Sequence, residues 1–241
     1  MHVPVSTQTT TPGPATERYG EFYGNRYPPR PPRSRSRSRA ARTDATLRRA
    51  LDLLVSAFAL LLLLPALALI ALLISLDSPG PVLFVQRRVG LHGKEFFVFK
   101  FRSMFRDAEA RLDSVLAGNE RSGPVFKMRQ DPRITRAGRV LRRCSLDEVP
   151  QLLNVLRGEM SLVGPRPALP REVALYAPEH RARLTALPGL TGLWQVSGRA
   201  SLSFEEAMAL DLEYIARQSV GFNVSLLLRT VPAVLTGRGA Y

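Results

Sequence analysis

The sequence predicts an α+β fold: a small, helix-rich domain with a short β element near its start, carried on an N-terminal membrane helix that a proline breaks. Three observations predict it. Residues 53–76 contain no charged side chain, residues 82–85 and 95–101 read as short extended segments around a turn at Gly90 and Gly93, and helical patterning returns at 103–116, 146–156, 170–184 and 204–216. At 241 residues with 45% hydrophobic content, the chain can build one sizeable core and is neither a disordered protein nor a many-span transporter.

Residues 1–45 hold Pro-rich runs and an Arg-Ser alternation from Arg33 to Arg39, with no apolar periodicity that could form a core. They read as a disordered basic tail. Its arginines, through Arg42, Arg48 and Arg49, lie just before the apolar stretch, which favours contact with an anionic membrane surface at about 1 kcal/mol per basic residue. A solvated tail without a task is the bland alternative. The domain proper then runs from 46 to 241, with the membrane helix at 51–76.

The 24 uncharged residues from 53 to 76, at about 1.5 Å per residue, suffice for a hydrocarbon core of about 30 Å. The run starts too late and is too long for a cleavable signal peptide, so it is expected to persist. Pro65 lies near its middle and removes a backbone hydrogen bond, predicting a kink or break. Both flanks are basic, with Arg87, Arg88, Lys94, Lys100, Arg102 and Arg106 on the far side. Charge asymmetry orients a spanning helix, and here both ends ask to be cytoplasmic. A re-entrant helix-break-helix satisfies both; an ordinary span with a tolerated proline stays open. Residues 220–235 are apolar but interrupted by Asn223, Arg229 and Pro232, which suits an interfacial amphipathic helix, with a buried core helix as the competing reading.

The 34 Lys and Arg against 20 Asp and Glu give a net charge of +14, pointing to an anionic partner such as phosphate, nucleic acid or acidic lipid. Cys144 is the only cysteine, so an intrachain disulfide is excluded and a cytoplasmic working face is favoured.

The most informative stretch runs from Leu141 to Pro167. Ser145 with Glu148 three residues on matches a capping box, and Asp147 serves equally well as a cap with Pro150 in the first turn. The surroundings argue for more than a cap. Asp147 and Glu148 are bracketed by Arg142 and Arg143 before and by Arg166 in a Gly-Pro-Arg-Pro loop after. Phosphoryl transfer uses that mixture: carboxylates hold a divalent cation or act as nucleophile, and guanidinium groups bind phosphate oxygens. A carboxylate at a helix N-terminus is favoured as the anion, the form that attacks phosphorus.

With these motifs together, the chain resembles the bacterial sugar transferases of the monotopic phosphoglycosyl transferase family, which initiate glycoconjugate assembly on undecaprenyl phosphate. The matching blocks, in order, are the proline-interrupted apolar helix, GKEFFVFKFRSM from Gly93 to Met104, the block from Ser145 to Pro167, and PGLTGLWQVSGR from Pro188 to Arg199. The resemblance covers nearly everything from Arg48 onward. It implies Asp147 as nucleophile, Glu148 as its partner, and Mg²⁺ at the pair. It further implies Lys100, Arg102, Arg142, Arg166 and Arg199 at the substrate, and a re-entrant helix broken at Pro65. Some members carry a Ser-Pro pair there, whereas this chain has Leu64-Pro65, so a serine hydroxyl does not support the bend. The long N-terminal modules of larger members are missing, which reads as a minimal catalytic unit with an added tail.

The implied reaction passes a sugar-1-phosphate from a nucleotide-diphosphate sugar, UDP-linked, to polyprenyl phosphate through an aspartyl-phosphosugar. This initiates exopolysaccharide, lipopolysaccharide or other glycoconjugate assembly at the cytoplasmic face of the bacterial inner membrane. Membrane lipids are expected partners, nucleic acid is not, and a homo-oligomer is compatible with the sequence. Cys144 reads as a small packing residue, His92 and His180 lack metal-ligand spacing, and Trp194 suits packing, a nucleobase, a sugar or the membrane interface. The rival function is a non-catalytic membrane-anchored basic protein that binds nucleic acid or acidic lipid through its arginine-rich tail.

Overall fold

The apolar run folds as part of one α-helix, α1 (Arg35–Asp77), in a computed structural model that describes residues 35–119, 128, 130–199 and 202–236. The described residues from Thr43 onward belong to one compact unit. The tail expected over residues 1–45 lies outside the described residues up to 34, and from residue 35 it continues α1. Arg and Ala extend an existing helix at little cost, because nucleation has already been met further along the chain.

Among the described residues α1 is the one helix long and apolar enough to cross a membrane. It runs through Pro65 without interruption, where the sequence predicts a break. A proline removes a single amide donor and leaves the bonds of the turns on either side in place.

One stripe of α1 faces the domain. Asp52, Ser56, Ile70 and Ile74 are buried, and Ala59, Leu60 and Leu67 pack against the core. Leu54, Leu61 and Leu76 lie off the stripe and remain 72%, 73% and 76% exposed. Steps of three and four residues keep the buried positions on one helical face. Polar contacts secure both ends of the stripe. Near its start, Arg49 donates to the carbonyls of Val155 and Leu156 at 2.7 and 3.0 Å, and Asp52 accepts from the Leu162 amide at 2.9 Å. At its end, Arg102 Nη2 donates to the Ser78 carbonyl at 2.6 Å, and Asp77 accepts from the Ala137 amide at 3.0 Å.

Strands β1 (Leu83–Val89) and β2 (Glu95–Phe101) form an antiparallel hairpin in which Phe84 faces Lys100 and Arg88 faces Phe96. Alternation then puts Phe84, Gln86, Arg88, Val98 and Lys100 on one face. The helix expected over 103–116 is reduced to a single turn, α2 (Leu112–Val115). Next comes α3 (Arg136–Arg143), for which sequence patterning gave no sign.

The helix expected over 146–156 is divided into a 3-10 turn, Leu146–Gln151, and α4 (Leu152–Arg157). Pro150 has no amide hydrogen to give the Leu146 carbonyl, so regular α bonding begins only after it. The 170–184 helix is divided likewise into α5 (Pro170–Ala174) and a 3-10 segment, Pro178–Thr185. Pro178 forces the residue before it to be extended, and Ala177 has ψ 155°.

Strands β3 (Ser161–Val163) and β4 (Gly189–Thr191) pair in parallel, and α6 (Leu193–Ser197), α7 (Phe204–Arg217) and α8 (Val220–Thr236) complete the unit. Val98, Leu152, Val155, Leu162, Tyr214 and Leu226 bring β2, α4, β3, α7 and α8 into one core. Helix α8 packs one face on the core, as the buried-helix reading requires. Asn223 and Leu226 are buried, while Leu228 and Leu235 on another face stay 69% and 81% exposed.

Helix α3 approaches the backbone after β2 at Gly138, where an added Cβ would meet the Ser103 carbonyl oxygen at 1.9 Å. Because the obstacle is backbone, Gly138→Ala is expected to destabilise the fold by about 1–3 kcal/mol, read as a lower melting temperature of the detergent-solubilised protein.

Candidate active site

Helix α3 starts at an N-cap, Thr135, whose Oγ1 accepts from the Gly138 amide at 3.0 Å, and its last turn carries Arg142 and Arg143. The chain then reverses at Ser145, a non-glycine residue in the left-handed region at φ 55°, a conformation uncommon for residues other than glycine. The turn that follows presents Asp147 and Glu148. The capping box does not form: Ser145 makes no side-chain cap bond, and the Glu148 carboxylate bonds to Lys100 Nζ at 2.6 Å instead.

That pairing is set by Asn154, which is fully buried. Its Oδ1 accepts from the Phe99 amide at 3.2 Å and its Nδ2 donates to the Phe97 carbonyl at 2.7 Å. One side chain thus satisfies the free edge of β2 on either side of Val98 and brings α4 and the preceding turn over Lys100.

Asp147 is 8% exposed. Burial, reinforced by the Glu148 charge, pushes its carboxyl up to about 6, against the pull of Lys100 and Arg142. Glu148 moves the other way. Burial alone would raise it, but Lys100, Arg166 and Arg88 together hold it below the usual carboxylate range. Opposite shifts in neighbouring carboxyls are a pattern found where the two have different chemical tasks. The Glu148 side chain keeps 32% of its surface open, so the pair remains reachable.

Arg166 is held by its backbone. Its carbonyl accepts from Arg183 Nη2 at 3.0 Å, the Pro167 carbonyl from Arg88 Nη1 at 2.9 Å, and the Ala168 carbonyl from the Val89 amide at 2.8 Å. Arg183 is itself locked by Asp211 at 2.5 Å and by the Tyr176 hydroxyl. Glu172, buried, accepts from the Leu169 amide at 2.8 Å and stands 3.7 Å from the Arg166 guanidinium. Glycines supply the close fit beneath: a Cβ on Gly189 would meet the Gly164 amide nitrogen at 1.9 Å.

These elements enclose a cleft of about 830 Å³. Lys100, Arg142, Asp147, Glu148, Arg166 and Arg199 all line it. Arg199 adopts φ 52° and donates through Nε to the Gln195 carbonyl at 3.1 Å. Arg102 also borders the cleft, but it lies beyond the end of β2 and gives its Nη2 to the C-terminus of α1. Pro65 is exposed on α1 and does not line the cleft.

Sequence reasoning missed several groups. Arg88, counted there only as flanking charge, is buried beside Arg166, and burial followed by that neighbour lowers it to about 9, still cationic at neutral pH. Glu172, Arg183 and Asp211 were also missed. The spacing from Leu169 through Pro170 to Glu172 is a helix-start signal that could have found Glu172; the Arg183–Asp211 pair joins residues 28 apart and leaves no local signal.

No group of three or more His, Cys, Asp or Glu gathers as a metal cage among the described residues. Asp147 and Glu148, adjacent on the cleft wall, fit a different arrangement. Mg²⁺ at a diphosphate takes one or two carboxylates and completes its shell with phosphate oxygens and water.

The family model described as bacterial sugar transferase matches residues 43–237. The chain is 41% identical over 214 residues to a UDP-galactose-lipid carrier transferase of Erwinia amylovora, covering 86% of this chain and 44% of that protein. It is 40% identical over 198 residues to the exopolysaccharide production protein ExoY of Rhizobium meliloti, covering 80% and 88%. It is 45% identical over 202 residues to a UDP-glucose:undecaprenyl-phosphate glucose-1-phosphate transferase of Caulobacter vibrioides, covering 80% and 72%. The chain therefore spans less than half of the first of these and most of the other two.

Because Lys100 lowers the Asp147 carboxyl, Lys100→Met is expected to move its titration above the midpoint of about 6. Carbon-13 NMR of aspartate-labelled protein over pH 4 to 9 reads both values; a midpoint that fails to rise contradicts the electrostatics described.

Proposed function

The chain belongs to the bacterial sugar transferase family, and from that premise we propose that it transfers a sugar-1-phosphate from a UDP-linked sugar to undecaprenyl phosphate, with Asp147 as nucleophile. The observation that carries this reading is the dyad itself, a buried carboxylate beside a lysine-paired one in a cleft lined by Arg88, Arg142, Arg166 and Arg199. The names of the relatives support the substrate class: galactose for the Erwinia protein, glucose and undecaprenyl phosphate for the Caulobacter protein.

Asp147 attacks the phosphorus that bears the sugar. A bond forms from its carboxylate oxygen, and the bridging P–O bond breaks, its electron pair leaving with uridine monophosphate. An oxygen of the acceptor phosphate then attacks the aspartyl-phosphosugar, restoring the carboxylate and yielding a diphosphate-linked lipid sugar. Dividing the transfer in two lets one cleft serve a soluble donor and a lipid acceptor in turn.

With a carboxyl near 6, Asp147 is mostly anionic at neutral pH. Approach of that anion to a diphosphate is opposed by charge, which the arginines offset by hydrogen bonds to phosphate oxygens. Lys100 keeps Glu148 ionised and in place at 2.6 Å. Mg²⁺, held by Asp147 and Glu148, would neutralise diphosphate charge when bound.

The same reading places the protein at the cytoplasmic face of the bacterial inner membrane, with α1, continuous in this structure, bending at Pro65 in the bilayer so that it enters and leaves from one side. In support, both ends of the apolar stripe bond to a single folded unit, Asp52 to Leu162 and Ser78 to Arg102. A helix crossing the bilayer leaves its ends on opposite faces.

Purified protein with undecaprenyl phosphate and Mg²⁺ is expected to release uridine monophosphate from UDP-galactose or UDP-glucose, and Asp147→Asn to lose at least 1,000-fold in rate, about 4 kcal/mol of barrier. Near-normal turnover by the variant would remove Asp147 as nucleophile. For topology, Thr46→Cys in a Cys144→Ser background is expected to react with a membrane-impermeant maleimide only from the cytoplasmic side; labelling from the periplasm would instead establish a spanning helix.

A further inference from the structure

Most polar groups on the cleft wall have partners, and the exceptions are informative. Arg88 and Arg102 leave guanidinium nitrogens unpaired, while their other nitrogens hold the Pro167 and Ser78 carbonyls. Among the described residues five other buried atoms lack a partner; Ser56 Oγ and Asp211 Oδ1 lie away from the cleft, and the remaining three are Gln151 Nε2, Gln195 Oε1 and Arg199 Nη1. All three residues line the cleft that holds Asp147. Gln151 is only 2% exposed, so its amide is withdrawn from bulk water without compensation. Such an atom is unfavourable in the free protein, and a ligand that supplies the missing bond removes the penalty.

The chemistry of the three atoms narrows the ligand. Gln195 Nε2 donates to the Leu190 carbonyl at 3.1 Å, which fixes the amide and makes Oε1 the unpaired acceptor. An acceptor needs an O–H or N–H, and a fully ionised phosphate offers neither. Gln151 belongs to the same 3-10 turn as Asp147, four residues on, and both line the one cleft, so its unpaired donor is available to a group bound there. Arg199 follows Gln195 by four residues and is bonded back to its backbone carbonyl, which puts a cation on the same segment as Gln195.

We propose that Gln151 and Gln195 form a hydroxyl-reading subsite for the transferred sugar, with Arg199 holding the adjoining phosphate. This rests on the transferase reading above and deepens it by assigning the residues that distinguish one sugar from another. A donor–acceptor pair of amides reads the position of ring hydroxyls, because an epimer that misplaces one leaves a buried amide unpaired. Arg199 contributes charge but no such discrimination.

The test measures binding, so it does not depend on turnover. UDP-galactose, UDP-glucose and uridine monophosphate are titrated by calorimetry into the full-length Asp147→Asn protein, with and without Gln151→Met or Gln195→Met. Each methionine variant is expected to weaken binding of at least one UDP-sugar by 10-fold or more and to leave uridine monophosphate within 2-fold. Gln151→Met is also expected to melt no lower than its parent, since it removes an unpaired buried group; a purely structural glutamine would lower the melting temperature. Unchanged UDP-sugar affinity overturns the subsite. An equal loss for uridine monophosphate also overturns it, assigning the amides to the ribose or base. Full turnover by Asp147→Asn would strike at the nucleophile alone and leave the binding comparison as it stands.

Discussion

The amide of Asn154 is the contact on which the rest of the catalytic face depends. A two-stranded hairpin has a bare edge on each side, and unpaired backbone groups in a core are costly. Asn154 covers one such edge by bonding to the Phe99 amide and the Phe97 carbonyl, acting as a one-residue substitute for a third strand. Its remaining bond, to Glu159 at 2.7 Å, ties the end of α4 to the same point. With α4 fixed against β2, the 3-10 turn before it lies over the next inward residue of the strand, Lys100. The 2.6 Å pair with Glu148 follows from that register.

A second set of buried charges fixes the opposite wall. Arg183 and Asp211 are 6% and 1% exposed, and burial of an ion pair stabilises only when further hydrogen bonds satisfy it. Arg183 meets that condition through Tyr176 and the Arg166 carbonyl, whereas Asp211 leaves its Oδ1 unpaired. The pair is therefore better understood by what it positions than by its contribution to stability. Together with Arg88 and the Val89 amide, it binds three consecutive carbonyls from Arg166 to Ala168. The loop is rigid at its backbone, while the Arg166 side chain, 33% exposed, still faces the cleft.

The two walls and α1 are mechanically continuous. Asp77 caps α3, which leads to Arg142 and the dyad, and Arg49 closes the C-terminal carbonyls of α4. Attachment of the apolar helix and assembly of the site thus share residues. For a protein read as joining a water-soluble donor to a lipid acceptor, that sharing holds the cleft at a fixed place relative to the apolar surface of α1. The exposed leucines of α1 and α8 supply this surface, and large exposed apolar area is a mark of membrane contact.

The amino-acid sequence by itself determined what depends on local properties. The uncharged run, strand β2, helices α7 and α8, and the carboxylate pair among arginines are all set by composition and period within a few residues, and the family resemblance rests on those same blocks. Only the tertiary structure decided which charges meet. Lys100 and Glu148 are 48 residues apart, and Arg88 and Pro167 79 apart, so no spacing rule links them. The three-residue strands β3 and β4 are too short for any periodicity and sit in stretches rich in Gly and Pro, where a loop is the natural reading; they exist because glycines at 164 and 189 let two backbones touch. Arg102 shows the same limit from the other side. Alternation along β2 puts it with Lys100, yet the strand ends at Phe101, and the nearest unsatisfied carbonyls, those closing α1, claimed it. Long-range pairing of buried polar groups obeys the demand that each find a partner, and that demand is met in three dimensions.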